Sequence, residues 1–273
     1  RNLRRKGYFY FNKQYVYYEV DSSLNQNAVK LLIVIKKNII KRPNGQIEQT
    51  QHIPYKISDI YVLPYYQPKQ ALAQKEEYFR GFDTTAHKSV YFVSQKELKI
   101  NREIVFQSIF FEPRELYNST NVEQSYNHLS SIQLYKIVNI SFNKRPGWDD
   151  LEKNDTAYLD CQIQLTPANS QAYSVEVEGT NSSGNLGGAA NLSYTHKNLF
   201  NGFEVFDLRL RGAFETLKQA NRPGLDNTLE LGAEAGLNIQ KFLLPIRNEE
   251  FIKKFNPRTV TSVAYNYQRR PDY

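Results

Sequence analysis

Side chains able to do chemistry are scattered through this sequence rather than gathered. The four histidines, His52, His87, His128 and His196, stand apart from one another. None sits in the His-Glu-x-x-His or Cys/His spacing that a metal site needs. No Gly-x-Ser-x-Gly turn presents a nucleophile, and there is no phosphate loop. Gly184-Asn185-Leu186-Gly187-Gly188 is rich in glycine, but it joins strand to strand, where a hairpin outweighs a phosphate cradle. Glu176 with Glu178, and Glu230 with Glu234, share strand faces. Paired carboxylates can do acid–base work, yet a polar wall produces the same pattern. Cys161 has no basic neighbour in sequence to make it a thiolate. It is read here as a half-buried structural thiol, on the opposite face from Leu159, Ile163 and Leu165. The expectation is a protein that is not an enzyme, with no catalytic residue, no cofactor and no metal.

What the sequence does concentrate is strand backbone. From Tyr173 to Glu215 three segments alternate. Tyr173, Val175 and Val177 point one way, and Ser174, Glu176 and Glu178 the other. Phe206, Leu208, Leu210 and Phe214 share a face, with Asp207, Arg209, Arg211 and Glu215 opposite. A soluble sandwich alternates in the same way. The long strands and tight turns suit a transmembrane barrel, with Phe206, Leu208, Leu210 and Phe214 toward lipid and Asp207, Arg209 and Arg211 toward the lumen.

The chain has 273 residues with 40% hydrophobic and 23% charged, a globular balance. Tyr and Phe number 20 and 16 against 1 Trp. Aromatics on this scale favour strands and membrane interfaces. The net charge of +7 is spread out. Its one basic run, Arg1-Asn2-Leu3-Arg4-Arg5-Lys6, reads as solvated surface, so no nucleic-acid partner is expected. A single cysteine excludes an intrachain disulfide. No apolar run approaches the ~20 residues of a spanning helix, and no signal peptide is visible. The chain is expected to be an internal piece of a longer protein.

The elements expected in order begin with a helix end closed by Gly7 and a short strand at Tyr8–Phe11. Strands follow at Gln14–Val20 and Ala28–Lys37, with turns at Asp21–Asn27 and Pro43-Asn44-Gly45. Next come a strand at Tyr55–Leu63, an aperiodic stretch from Gln67 to His87, and a short strand at Val90–Val93. A helix is predicted at Val122–Ile132, with Thr120 and Glu123 as its capping box. The strands Leu134–Phe142 and Ala157–Leu165 should pair, joined by a loop carrying Trp148. Five long strands close the list: Tyr173–Thr180, Gly188–Thr195, Phe203–Glu215, Asn227–Gln240 and Thr259–Arg269.

The helix–strand–strand unit ending in Leu159-Asp160-Cys161-Gln162-Ile163-Gln164-Leu165-Thr166-Pro167 resembles a POTRA domain. The segments Val175–Gly187, Tyr194–Gly202 and Arg211–Glu215 resemble the start of the barrel in the BamA/TamA superfamily, closest to the TamA-like (TamL) proteins of Bacteroidetes. The resemblance implies α+β POTRA modules of order β-α-α-β-β followed by the N-terminal strands of a transmembrane antiparallel β-barrel. It implies a barrel of about sixteen strands, an even number as in bacterial barrels. Residues 1–54 would be the C-terminal part of a POTRA-like domain, 55–166 the last POTRA domain, and 167–273 the first strands of an incomplete barrel. The location implied is the bacterial outer membrane, with the POTRA domains in the periplasm. The partners implied are unfolded outer-membrane protein clients, the lipid bilayer and a periplasm-spanning TamB-like protein. The family's lateral gate maps onto Tyr173, Ser174, Val175, Glu176, Val177, Glu178, Gly179 and Thr180, a strand expected to be short and weakened at Gly179. There a client strand would add by backbone pairing. Two alternatives remain: a two-partner-secretion transporter built from the same modules and, less in keeping with a periplasmic arm, a passive pore or barrel enzyme. Arg80-Gly81-Phe82 matches the family's Arg-Gly-Phe loop motif in letters, but it lies in the POTRA region and is read as coincidence.

Overall fold

The computed structural model describes residues 2–21, 29–41, 45–145, 156–182, 185–218, 225–241, 243, 251 and 255–270. The expected turns at 21–27 and 43–45, and the Trp148 loop, lie largely or wholly outside them.

The chain opens with a short helix, α1 (Asn2–Arg5), and two hairpins. One pairs β1 (Val16–Asp21) with β2 (Lys30–Ile35), the other β3 (Asn38–Lys41) with β4 (Ile47–Thr50). Tyr8–Phe11 is turn and coil rather than the expected strand. Its aromatic side chains pack instead of alternating: the Phe9 ring lies 4.8 Å from Tyr117 and 5.7 Å from Phe142. Gly7, at φ +97°, makes this approach possible. A Cβ there would stand 3.0 Å from Pro54 Cβ and 3.1 Å from Leu116 Cδ2, in a backbone region that side chains rarely adopt.

A mixed α+β unit follows. Its elements are β5 (Tyr55–Leu63), α2 (Pro68–Gln74), β6 (Asp83–His87), β7 (Val90–Ser94), α3 (Arg102–Gln107), α4 (Ser119–Ser130), β8 (Tyr135–Lys144) and β9 (Ala157–Pro167). The sheet order is β6-β7-β5-β9-β8. β5 runs parallel to β9 and β7, while β8 is antiparallel to β9. This corrects the simple β-α-α-β-β order: α2 and the β6–β7 hairpin are inserted after the first strand. α2 and β6 arise inside the stretch without periodicity, whereas β7 is the short strand expected at Val90–Val93. Pro68 starts α2 where its missing N–H costs nothing, and Asp83-Thr84-Thr85-Ala86-His87 pairs through its backbone with few apolar side chains to announce it.

The predicted helix forms as α4, but its cap is Asn118, whose Oδ1 accepts from Thr120 N at 2.9 Å. Asn and Asp cap as well as Ser and Thr, so the boundary shifts by about one turn. Leu129 is fully buried in a core with Ile57, Ile60, Val62, Phe92, Val105, Ile163 and Leu165. Cys161 belongs to that core and is 0% exposed. It shares a face with Leu159, Ile163 and Leu165, as the two-residue period demands for odd-numbered neighbours. The opposite-face reading is therefore wrong. Burial pushes its thiol well above the ordinary range, which leaves it protonated and inert.

From Gln171 on, five strands form an antiparallel meander: β10 (Gln171–Ser182), β11 (Asn185–Lys197), β12 (Val205–Lys218), β13 (Leu225–Ile239) and β14 (Thr259–Arg269). With 12, 13, 14, 15 and 11 residues, each meets or exceeds the ~9–11 residues of a tilted membrane strand. β10 is thus longer than the expected Tyr173–Thr180, and shortness is no source of weakness in it.

In the α+β unit, Glu103 on α3 joins the β6–β7 turn. It accepts from Lys88 Nζ at 2.6 Å, lies 3.1 Å from His87 Nε2, and accepts from Gln107 Nε2 at 3.1 Å. Burial alone would raise its pKa, but the hydrogen bonds and charge of Lys88, with those of His87 and Gln107, outweigh it and hold the carboxyl below its usual range. A lowered folded pKa gives stability that is complete above the unfolded value and lost as pH falls through the folded one. Lys88→Ala is expected to move the Glu103 titration upward in a carboxyl-carbon NMR titration. It should cost about 0.2–1 kcal/mol at neutral pH, as for other partly exposed pairs. An unmoved midpoint would show that Lys88 does not hold the carboxylate.

Candidate functional site

The register of the meander decides which residues share a face. Val175 pairs with Leu192, Leu192 with Leu210, Leu210 with Ala233, and Ala233 with Tyr265. One strand position away, Glu176 pairs with Asn191, Asn191 with Arg211, Arg211 with Gly232, and Gly232 with Asn266. No bulge interrupts these ladders, so the alternation stays in phase across all five strands. One face carries Tyr173, Val177, Tyr194, Leu208, Phe214, Leu229, Leu231, Val263 and Tyr267 as well. The other carries Ser174, Glu178, Ser193, Asp207, Arg209, Glu230, Glu234 and Gln268. The expected sharing of a face by Phe206, Leu208, Leu210 and Phe214 holds within this register.

Nothing among the described residues covers the apolar face. Tyr173, Val175 and Val177 are 69%, 71% and 80% exposed, and Leu210, Phe214, Val263 and Tyr265 are exposed too. Isolated apolar residues are common on soluble surfaces, but a contiguous face of this extent is not. Gly188 lets the Phe214 ring lie flat on the sheet: a Cβ there would meet Cε1 of that ring at 3.0 Å.

The polar face is internally paired in part. Arg209 Nη1 lies 3.7 Å from Glu234 Oε2, Thr195 Oγ1 donates to Asp207 Oδ1 at 2.6 Å, and Gln268 Nε2 donates to Glu230. Glu234 is therefore engaged with a cation and Glu230 with an amide, and the strand pairing brings neither into a carboxylate pair. The histidines are separated as the sequence suggested. His52 Nε2 is 2.9 Å from Lys36 O, His87 meets Glu103, His128 lies against Phe110 at 4.6 Å, and His196 stands on β11. Among the described residues no three His, Cys, Asp or Glu side chains could hold a metal together. In the Arg80-Gly81-Phe82 stretch, Arg80 pairs with Glu77 at 2.8 Å on the surface of the α+β unit.

All eight residues Tyr173, Ser174, Val175, Glu176, Val177, Glu178, Gly179 and Thr180 lie on β10, one edge of the open sheet; β14 is the other. Their backbones are not equivalent. Lys197 N donates to Ser170 O at 2.7 Å. That bond sets the phase of the β10–β11 ladder, because antiparallel strands bond through alternate residues. Ser174, Glu176, Glu178 and Thr180 thus turn their N–H and C=O groups toward β11. Tyr173, Val175, Val177 and Gly179 turn theirs outward, to the free edge. The residues with apolar side chains are the ones that offer backbone to a further strand. Sequence reasoning found the strand but not this division, which needs the ladder phase.

No protein-family model and no curated protein matches the chain. Among solved structures it is similar to BamA from Haemophilus ducreyi lacking POTRA domains 1–3, at 11% identity, TM-score 0.38, over 97% of this chain and 49% of that one. It is also similar to CdiB from Acinetobacter baumannii, at 9% identity, TM-score 0.33, over 85% of this chain and 58% of that one. The chain spans about half the length of both.

The two faces make opposite demands on solvent. In a bilayer, cysteine placed at position 208 is expected to react with a lipid-restricted probe, and cysteine at 209 is not. Leu210→Arg should destabilise the membrane-inserted protein by ~2–4 kcal/mol at mid-membrane depth, measured by reversible denaturant titration in vesicles. Labelling of 209 but not 208 would reverse the assignment of faces.

Proposed function

We propose that this chain is part of an outer-membrane assembly or translocation factor that helps insert client β-barrel proteins by strand pairing. The observation that carries the reading is the uninterrupted apolar face from Tyr173 to Tyr267, opposite a charged one, on a sheet whose first strand is an open edge. Water does not suit such a face. Lipid on one side and a polar lumen on the other suit both.

An open edge inside a bilayer leaves N–H and C=O groups without water, at several kcal/mol each. A client strand satisfies them whatever its side chains, which gives a reason for broad client range. On this reading the outward groups of Tyr173, Val175, Val177 and Gly179 form the pairing site of the lateral gate. The α+β unit supports the reading too. Its strands, with α4 packed beside β8, are the kinds of element the resemblance assigns to a POTRA module, with α2, β6 and β7 lying between β5 and α3. On this reading the unit is the last POTRA domain and stands in the periplasm, and a TamB-like protein is a candidate partner.

Proline separates strand pairing from sheet integrity, since it removes one N–H. Val175→Pro takes away an outward donor, and Glu176→Pro a donor to β11. In the full-length protein, Val175→Pro is expected to slow client assembly at least tenfold while the barrel still runs as a folded species on unboiled gels. Glu176→Pro should lose the folded species. Normal assembly rates with Val175→Pro would defeat the pairing mechanism. Clients that pass into the medium instead of the membrane would point to secretion in place of assembly.

A further inference from the structure

Two connections at one end of the meander reach the α+β unit. The first, Asn198 to Glu204, joins β11 to β12. It holds three non-glycine residues at positive φ: Asn198 at +74°, Asn201 at +63° and Phe203 at +63°. For a residue as bulky as Phe that conformation is an outlier. Such strain persists only where surrounding structure enforces it.

Here the enforcement is visible. Phe203 is 1% exposed and lies in the core of the α+β unit, not in the sheet. Its ring is 5.9 Å from that of Tyr135, within a core that also holds Ile132 and Leu134. Asn198 acts on both sides of the joint. Its Nδ2 donates to Lys99 O at 2.8 Å, and its Oδ1 accepts from Phe203 N at 3.0 Å. Glu204 closes the turn from within, its Oε2 accepting from Gly202 N at 2.9 Å and Phe200 N at 3.1 Å.

The second connection leads into β14 and meets the C-terminus of α4. Asn256, at φ +43°, donates from Nδ2 to Ser131 Oγ at 3.2 Å. Arg258 Nη2 donates to Ser131 O at 3.1 Å. Ser131 is the C-cap of α4. A guanidinium there satisfies an orphan carbonyl and complements the negative end of the helix. Between the two connections the chain itself is tied down: Ala168 N donates to Leu134 O at 2.7 Å, and Lys197 N to Ser170 O at 2.7 Å.

We propose that these two connections form a clamp that fixes the α+β unit to the base of the sheet as one rigid body. Phe203 is the plug, and Asn256 with Arg258 on Ser131 is the second point of attachment. Two attachment points, besides the covalent link, remove the swing that a three-residue connection between β9 and β10 would otherwise allow. The clamp stands on these contacts alone. Its use, holding the α+β unit at a fixed position beside the β10 edge, rests on the assembly reading above.

The test is a distance distribution, which does not depend on client activity. Spin labels go on Lys136→Cys, on the exposed side of β8, and Glu178→Cys, on β10, in full-length protein in lipid nanodiscs. Cys161 is fully buried and does not compete for label. A single narrow distribution is expected for the parent protein. The triple variant Asn198→Ala, Asn256→Ala, Arg258→Ala removes the polar contacts of both turns and leaves the core intact; its width should at least double. Phe203→Ala should broaden the distribution as well, and if that variant does not fold the triple variant decides. A broad distribution in the parent, or an unchanged width in the triple variant, overturns the clamp. Loss of client assembly in Val175→Pro with a narrow distribution would uphold both readings. Normal assembly there with a narrow distribution would remove the gate and leave the clamp.

Discussion

The phase of one antiparallel ladder governs this structure. From β10 to β14 each strand passes its side-chain alternation to the next without a bulge. A one-residue slip anywhere would move a full set of apolar side chains to the other face. In this sheet the slip would place Leu208 and Leu210 among Glu230 and Glu234, and Arg209 among Val263 and Tyr265. The same phase sorts the backbone of β10. Where side chain and peptide group alternate together, an edge strand with apolar side chains outward presents the backbone of those same residues for pairing. The apolar face and the residues that offer backbone at the free edge are therefore set by one choice of register.

The α+β unit obeys a different constraint, the filling of a closed core. Ile57, Ile60, Val62, Ile163 and Leu165 give the sheet side, and Val105, Leu129 and Ile132 the helical side. The aromatic cluster of Phe9, Tyr55, Tyr117 and Phe142 extends the packing toward the N-terminal segment. Phe203 extends it toward the meander. A core that borrows a side chain from each neighbouring segment cannot shift against them without opening a cavity, and cavities in packed cores are costly.

What could be read from the sequence follows from the range of the forces involved. The meander was legible because alternation is local and repeated, so Thr259–Arg269 was placed to the residue and the others within a few residues. α4 was legible because Val122, Tyr126 and Leu129 mark one helical face, although Asn118 rather than Thr120 supplies the cap. β6 and α2 escape the sequence pattern because β6 has almost no apolar side chains and α2 buries none of its residues, whereas β7 is the short strand expected at Val90–Val93. Their formation depends on β5 offering an unpaired side to β7. Cys161 lies in the core with Ile163 and Leu165, as the two-residue period requires, and not on the opposite face expected for it. Phe203, expected at the start of β12, lies instead in the connection before it. In sequence it reads as the first residue of an alternating strand, and only the tertiary contact with Tyr135 and its neighbours makes it a plug.

The β10 strand joins these two constraints. Its first residues follow directly from β9, an inner strand of the α+β sheet, through only Ala168, Asn169 and Ser170. Ala168 continues the β8–β9 ladder, and Ser170 begins the β10–β11 ladder. The base of the edge strand is therefore bonded to two sheets at once. Its far end is bonded to β11 alone, through Thr180 with Gly187. Bonds near a tethered base break only with the core behind them, whereas those at a free end fray singly. Any motion that separates β10 from its neighbours must then begin at Gly179–Asn181 and travel toward Gln171. A strand added to the open edge would meet its firmest template at Tyr173 and Val175, next to the α+β unit, and its most yielding one at Gly179.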